Sequence, residues 1–190
     1  MVNQSQFAHS LFFGVLAAAA ALPGPVVAND APLGGVWQKH EYELRYMGFT
    51  STYSCDGLEG QLRLLLKAAG ARDDVRVSSG ACNGPDGHPT KFATANMTFY
   101  TLVPASSGAP TDAATTPAMW RTVKLANHSP SQLESGDCEL VEQFRDQILP
   151  MFTTRNIVDH MGCVPYDQHV GQLNLSFDVL TSAPVTSAAR

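Results

Sequence analysis

Apolar positions along this chain change period twice, from alternation to helical spacing and back. Tyr42, Leu44 and Tyr46 alternate with charged residues, which predicts a strand over about Tyr42 to Phe49. Leu58, Leu62, Leu65, Leu66 and Ala69 then share one helical face, with Gln61, Arg63 and Lys67 opposite. Asp56 and Glu59 suit a capping box at its start, and Gly70 suits its end. A short strand is expected over Asp74 to Ser78. In the last stretch Ala95, Met97, Phe99 and Thr101 alternate with Asn96, Thr98 and Tyr100, the pattern of a strand with one buried and one wet face.

The same succession follows again. A strand begins near Trp120, with Val123 and Leu125 on one face. Val141, Phe144, Ile148, Leu149 and Phe152 form the matching helix face, although Pro150 removes a backbone donor and predicts an early end or a kink. A short strand near Asn156 to His160 precedes a last one. There Leu173, Leu175, Phe177 and Val179 alternate with Asn174, Ser176 and Asp178. The same interval separates Trp37 from Cys55 and Trp120 from Cys138. Beyond these cysteines Leu66 falls on Leu149, Arg72 on Arg155 and Val75 on Val158. NMTFYTL (Asn96 to Leu102) falls on NLSFDVL (Asn174 to Leu180). The chain therefore reads as a tandem duplication of a β-α-β-β unit. The first copy spans 37–103, a linker rich in Ala, Ser, Thr and Pro spans 104–118, and the second copy spans 119–180, with a tail over 181–190.

The expected fold class is α+β: an antiparallel-rich sheet of about six strands, both helices on one face, and ferredoxin-like halves about a pseudo-two-fold axis. A right-handed crossover makes the strands flanking each helix parallel. That brings Cys55 to Cys82 and Cys138 to Cys163 at one end of each half. Of the three connectivities open to four cysteines, pairing within halves is thus favoured.

Four cysteines matter because the chain begins like an exported one. Leu11 to Leu22 is an unbroken apolar run, too short for the roughly 20 residues that span a bilayer. Pro23-Gly24-Pro25 breaks it, and Val26-Val27-Ala28 offers the small residues of a cleavage site. Residues 1–28 are accordingly expected to be a signal peptide, and 29–190 the mature domain, periplasmic or secreted and without membrane insertion once the signal is removed. The net charge of −5, without a basic run, gives no support to nucleic-acid binding.

Candidate chemistry is sparse. Each half carries Asp-x-His after its second cysteine: Asp86 and His88, then Asp167 and His169. Two carboxylates and two imidazoles, with His160 nearby, suit a divalent transition metal if they meet. Singly, each segment reads as a polar turn. Glu59 and Glu142 recur in the first turn of each helix, where a carboxylate serves the free N–H groups better than it serves acid–base catalysis. No Gly-x-Ser-x-Gly elbow or Cys-x-x-Cys pair is present.

The stretches YSCDGLEGQLRLLLKAAGARDDVRV and GDCELVEQFRDQILP resemble a small family of exported proteins of gamma-proteobacteria, of the Xanthomonas and Lysobacter kind. The resemblance covers most of Trp37 to Leu180. It implies a periplasmic or secreted location and brings no activity and no functional residue with it. Two readings result. One is a non-catalytic envelope module, without a cofactor, that binds a protein partner or small ligand through the wet sheet face bearing Asn96, Thr98, Tyr100, Asn174, Ser176 and Asp178. The other is a metal-dependent hydrolase or metal carrier built on the two Asp-x-His segments.

Overall fold

Both sets of alternating strands run longer than their apolar residues alone indicate. The computed structural model describes residues 33–105, 114–167 and 172–184. The signal predicted over 1–28, and His169, lie outside the described residues. The elements are β1 (Leu33–Met47), α1 (Cys55–Ala68), β2 (Arg76–Ser79), β3 (Phe92–Pro104), β4 (Thr116–Ala126), α2 (Cys138–Gln147), β5 (Thr154–Asp159) and β6 (Asn174–Ser182). Short 3₁₀ turns at Ser135–Asp137 and Leu149–Met151 flank α2. β1 thus begins at Leu33, and β4 at Thr116, inside the stretch expected to be linker. Their glycines, proline and threonines carry no alternation to read.

All six strands form one antiparallel sheet in the order β2-β3-β1-β4-β6-β5. Outward from the central β1–β4 pair the order is β1, β3, β2 on one side and β4, β6, β5 on the other. β1 and β2 each run antiparallel to β3, so they are parallel with β3 between them, and β4 and β5 bear the same relation to β6. The central joint is short: Leu33, Gly34 and Gly35 pair with Ala118, Pro117 and Thr116. Here a glycine is required, because a Cβ at Gly35 would lie 2.6 Å from Leu102 Cγ.

Helix packing closes what the strands leave open. Leu58, Leu62, Leu65 and Leu66 of α1 and Leu140, Val141 and Phe144 of α2, with Ile148 beyond it, are fully buried. They share one core with Leu44, Tyr46, Met97 and Phe99 of the first half and with Leu125, Leu175, Phe177 and Val179 of the second. Neither helix is confined to its own half. Arg121 of β4 donates to the Ala68 carbonyl at the end of α1 (3.0 Å), and Thr101 of β3 donates to the Met151 carbonyl beyond α2 (3.0 Å). α1 is closed by its C-cap Ala69, followed by Gly70 with φ +93°, a left-handed conformation that glycine adopts without steric cost. α2 stops early, as Pro150 requires, and the chain tightens into its 3₁₀ turn.

The helix starts differ from expectation. Ser54, not Asp56, is the N-cap of α1, its hydroxyl accepting from Gly57 N at 3.2 Å. Glu59 caps nothing: it accepts the Ser79 N–H (2.8 Å) and hydroxyl (2.9 Å) and so ties α1 to β2. Those bonds hold its carboxyl below the usual range. Glu142 pairs with Arg145 along α2. Arg63, expected on a free polar face, donates to the Val77 carbonyl at 2.9 Å. The disulfides are Cys55–Cys82 and Cys138–Cys163, the pairing expected within each half, and no cysteine is free.

Candidate functional site

The Asp-x-His segments are turns in the described chain. Asp86 accepts the His88 N–H at 3.1 Å across Gly87, whose φ is +78°, and both side chains are exposed. Asp167 is half-buried, and the imidazole that would accompany it lies outside the described residues. Among the described residues no group of three or more His, Cys, Asp or Glu side chains is placed to hold a metal ion.

The wet sheet face is where the alternation put it. Thr98, Tyr100, Asn174, Ser176 and Asp178 are half-buried and Asn96 is exposed, all pointing away from the helices beside Lys39, Glu41, Glu43 and Arg45. Much of this face is engaged with itself. Lys39 pairs with Glu41 and Arg45 with Glu43. Asp178 accepts from Thr122 (2.6 Å), Asn156 (2.8 Å) and Arg155 (3.4 Å), bonds that hold its carboxyl below the ordinary carboxylate range. Near the central joint the face turns apolar: Leu102, Ala118 and Leu180 are buried with Trp37 and Trp120 over them. Arg72 lies 5.8 Å from the Trp37 ring and 3.7 Å from that of Tyr100, and Arg155 lies 4.2 Å from Trp120. Each tryptophan thus has a guanidinium against one side of its ring.

The surface that stands out was not anticipated from periodicity. At the end of the sheet where β1 finishes and β3 begins, the ends of these two strands and the loops after β1 and β5 bring apolar side chains together. Tyr166 is 70% exposed, Phe92 67%, Met47 42%, and Phe49 and Val164 41% each. Met47 and Phe92 are cross-strand partners, Phe49 meets Tyr166 edge-on at 5.9 Å, and the Lys91 ammonium sits 5.2 Å from the Tyr166 ring. Large apolar side chains exposed together, rather than singly, mark interaction sites.

This end is firmly held. Glu139, only 6% exposed at the start of α2, accepts the N–H groups of Phe49 (2.8 Å) and Thr50 (2.9 Å) and the Thr50 hydroxyl (3.0 Å). Thr50 Oγ1 in turn accepts the Tyr166 N–H at 2.9 Å. Tyr166 has φ +69°, a backbone conformation that costs a bulky residue of order 1–3 kcal/mol, and Cys163, three positions earlier, ties the loop to α2 through Cys138. Beside Glu139, Tyr53 donates to buried Asp137 at 2.6 Å. Burial, and then the Asp137 charge, push its phenol well above the ordinary tyrosine range. Periodicity assigns Met47 and Phe49 to the end of the first strand and gives Phe92, Val164 and Tyr166 no place, so nothing along the chain signals that the five meet.

Compared with family models, curated proteins and solved structures, the chain matches none.

Proposed function

We propose that the protein is an exported, non-catalytic binding module built from two copies of one β-α-β-β unit, and that it engages a protein partner through the apolar end formed by Met47, Phe49, Phe92, Val164 and Tyr166. The observation that carries this reading is the convergence of those five exposed side chains at one end of the sheet, where Glu139, Thr50 and the Cys138–Cys163 disulfide tie down the loops after β1 and β5. A rigid apolar patch binds without a large ordering cost, which is what a recognition surface needs. Two closed disulfides suit an oxidising compartment, and among the described residues no helix is long and apolar enough to cross a membrane.

The duplication is supported by register. Trp37 pairs with Leu102 and Trp120 with Leu180, the residues that the internal alignment equates. The three-pair central joint is centred on Gly34 and Pro117, separated by the same interval as Trp37 from Trp120. Arg72 over Trp37 is repeated as Arg155 over Trp120.

The test is site-specific photocrosslinking in the envelope of the producing cell. A photoreactive residue replacing Tyr166 gives one discrete adduct, which Phe92→Ser suppresses. The same probe replacing Thr122, on the polar face, gives none. Equal labelling from both positions would remove the patch as the contact surface.

A further inference from the structure

β1 is long, but only its first three residues pair with β4. Beyond Gly35 its second edge has no strand beside it among the described residues. Hydrogen-bond parity shows which groups face that edge. Gly34 O accepts from Ala105 N, and Gly48 N donates to Lys91 O, so even-numbered residues of β1 bond to β3. Odd-numbered residues point the other way, as Leu33 and Gly35 do toward β4. Trp37, Lys39, Glu41, Glu43 and Arg45 therefore turn their N–H and C=O groups toward an unoccupied edge. Unpaired rows of this kind are templates for another strand. At the far end, Met47 shows what the edge accepts: the Gln143 amide takes its N–H at 3.0 Å and gives to its C=O at 2.9 Å, imitating a neighbouring strand.

Only the Arg45–Met47 end of this edge borders a groove, of about 430 Å³, lined on the far side by Glu139, Glu142, Gln143 and Gln147 of α2, with Phe49 at its end. β4 offers less. Its corresponding groups are those of Trp120, Thr122 and Lys124, and the turn after β4 folds back to bond Lys124 O through Ser129 Oγ. We infer that β1 receives an extended peptide as an added antiparallel strand along Trp37–Arg45, entering from the groove beside α2. This rests on the binding-module reading and names the form its partner takes. An antiparallel guest enters at the Met47–Phe49 end, so its first side chain is apolar and meets the exposed patch. Glu41 and Glu43 lie at the middle of the edge and Glu142 across the groove, so the facing guest residues are basic. Lys39 and Arg45 pair with these glutamates in the empty state. They keep the bare edge charged, and so protected from self-association, while leaving its backbone free.

The probe is a short synthetic peptide of alternating Thr and Lys headed by Leu, added to the mature protein and read by amide-resolved hydrogen exchange. Without peptide, the amides of Lys39, Glu41 and Glu43 exchange freely while those of His40, Tyr42 and Leu44 are protected. With saturating peptide, the first three slow by at least about tenfold. N-methylating the peptide on its facing edge abolishes the effect, and N-methylating the other edge does not. Glu41→Pro, which removes a free-edge donor and none used by β3, weakens binding at least about tenfold while the even-numbered amides stay protected. Absence of binding, or binding without protection of these three amides, overturns the inference. Protection before peptide is added also overturns it, by placing a segment of the chain itself on the edge. In each of these cases the crosslinking result at Tyr166 stands or falls separately.

Discussion

Replacing Glu139 by Ala tests the joint on which the exposed end depends. The carboxylate accepts three hydrogen bonds from Phe49 and Thr50. Bonds to a charged acceptor contribute about 1.5–3 kcal/mol each when buried. Phe49 and Thr50 are not buried residues, so water replaces part of what is lost. The expected cost is therefore about 2–4 kcal/mol, below the simple sum. Glu139→Gln keeps an acceptor oxygen and should cost about 1–2 kcal/mol. Urea unfolding gives both values from the midpoint shift at constant m. Hydrogen exchange at Phe49 and Thr50 should accelerate more than at Leu62 in the core. A Glu139→Ala variant within about 0.5 kcal/mol of wild type, the range of ordinary surface changes, would refute the reasoning. The loop would then be held by something other than this carboxylate.

Leu66→Ala should cost about 2–5 kcal/mol in denaturant unfolding, because its side chain is wholly buried between α1 and the sheet. Arg63→Ala should cost about 1 kcal/mol rather than nothing, since its guanidinium donates to the Val77 carbonyl. His40 stacks on Phe99 and bonds to Thr101, and burial lowers its pKa below the ordinary imidazole value. The unfolded chain therefore takes up this proton first, and stability should fall as pH drops below about 6.5. His40→Gln should flatten that part of the stability–pH curve. Non-reducing peptide mapping should find Cys55 linked to Cys82 and Cys138 to Cys163, and reducing either bridge should cost roughly 3.5 kcal/mol on the chain-entropy model.

The parts of the fold legible in the sequence are those governed by burial periodicity. The stripes Leu58–Leu66 and Val141–Phe152, and the alternation in β3 and β6, identify their elements because a buried face leaves a repeating mark. Cysteine spacing added the disulfides once the strands flanking each helix were taken as parallel. The first nine residues of β1, Leu33–Glu41, lay outside the strand that alternation marks, and at its start Gly34 and Gly35 serve close approach rather than side-chain burial. Glu59 and Glu139 were misread or missed for a different reason. A carboxylate in the first turn of a helix fits a cap from local sequence, yet its partners are Ser79 and Phe49–Thr50, which only the tertiary structure brings near. The exposed end joins two strand ends to two loops, and their meeting is purely tertiary. The free edge of β1 depends on how far β4 overlaps it, which no local pattern encodes.

The short β1–β4 joint has a consequence for how the chain is assembled. Three residue pairs cannot hold two half-sheets together, so most of the adhesion comes from helices seated partly on the opposite half, with Arg121 on Ala68 and Thr101 on Met151 as fixed points. Neither half has a finished interior until the other arrives. Cut between the halves, the chain should give fragments that are poorly ordered alone and recover structure on mixing, at a rate that rises with concentration. Within the intact chain the linker sets the effective concentration of each half for the other. Folding is then an intramolecular docking reaction, and lengthening the linker should slow folding more than it speeds unfolding.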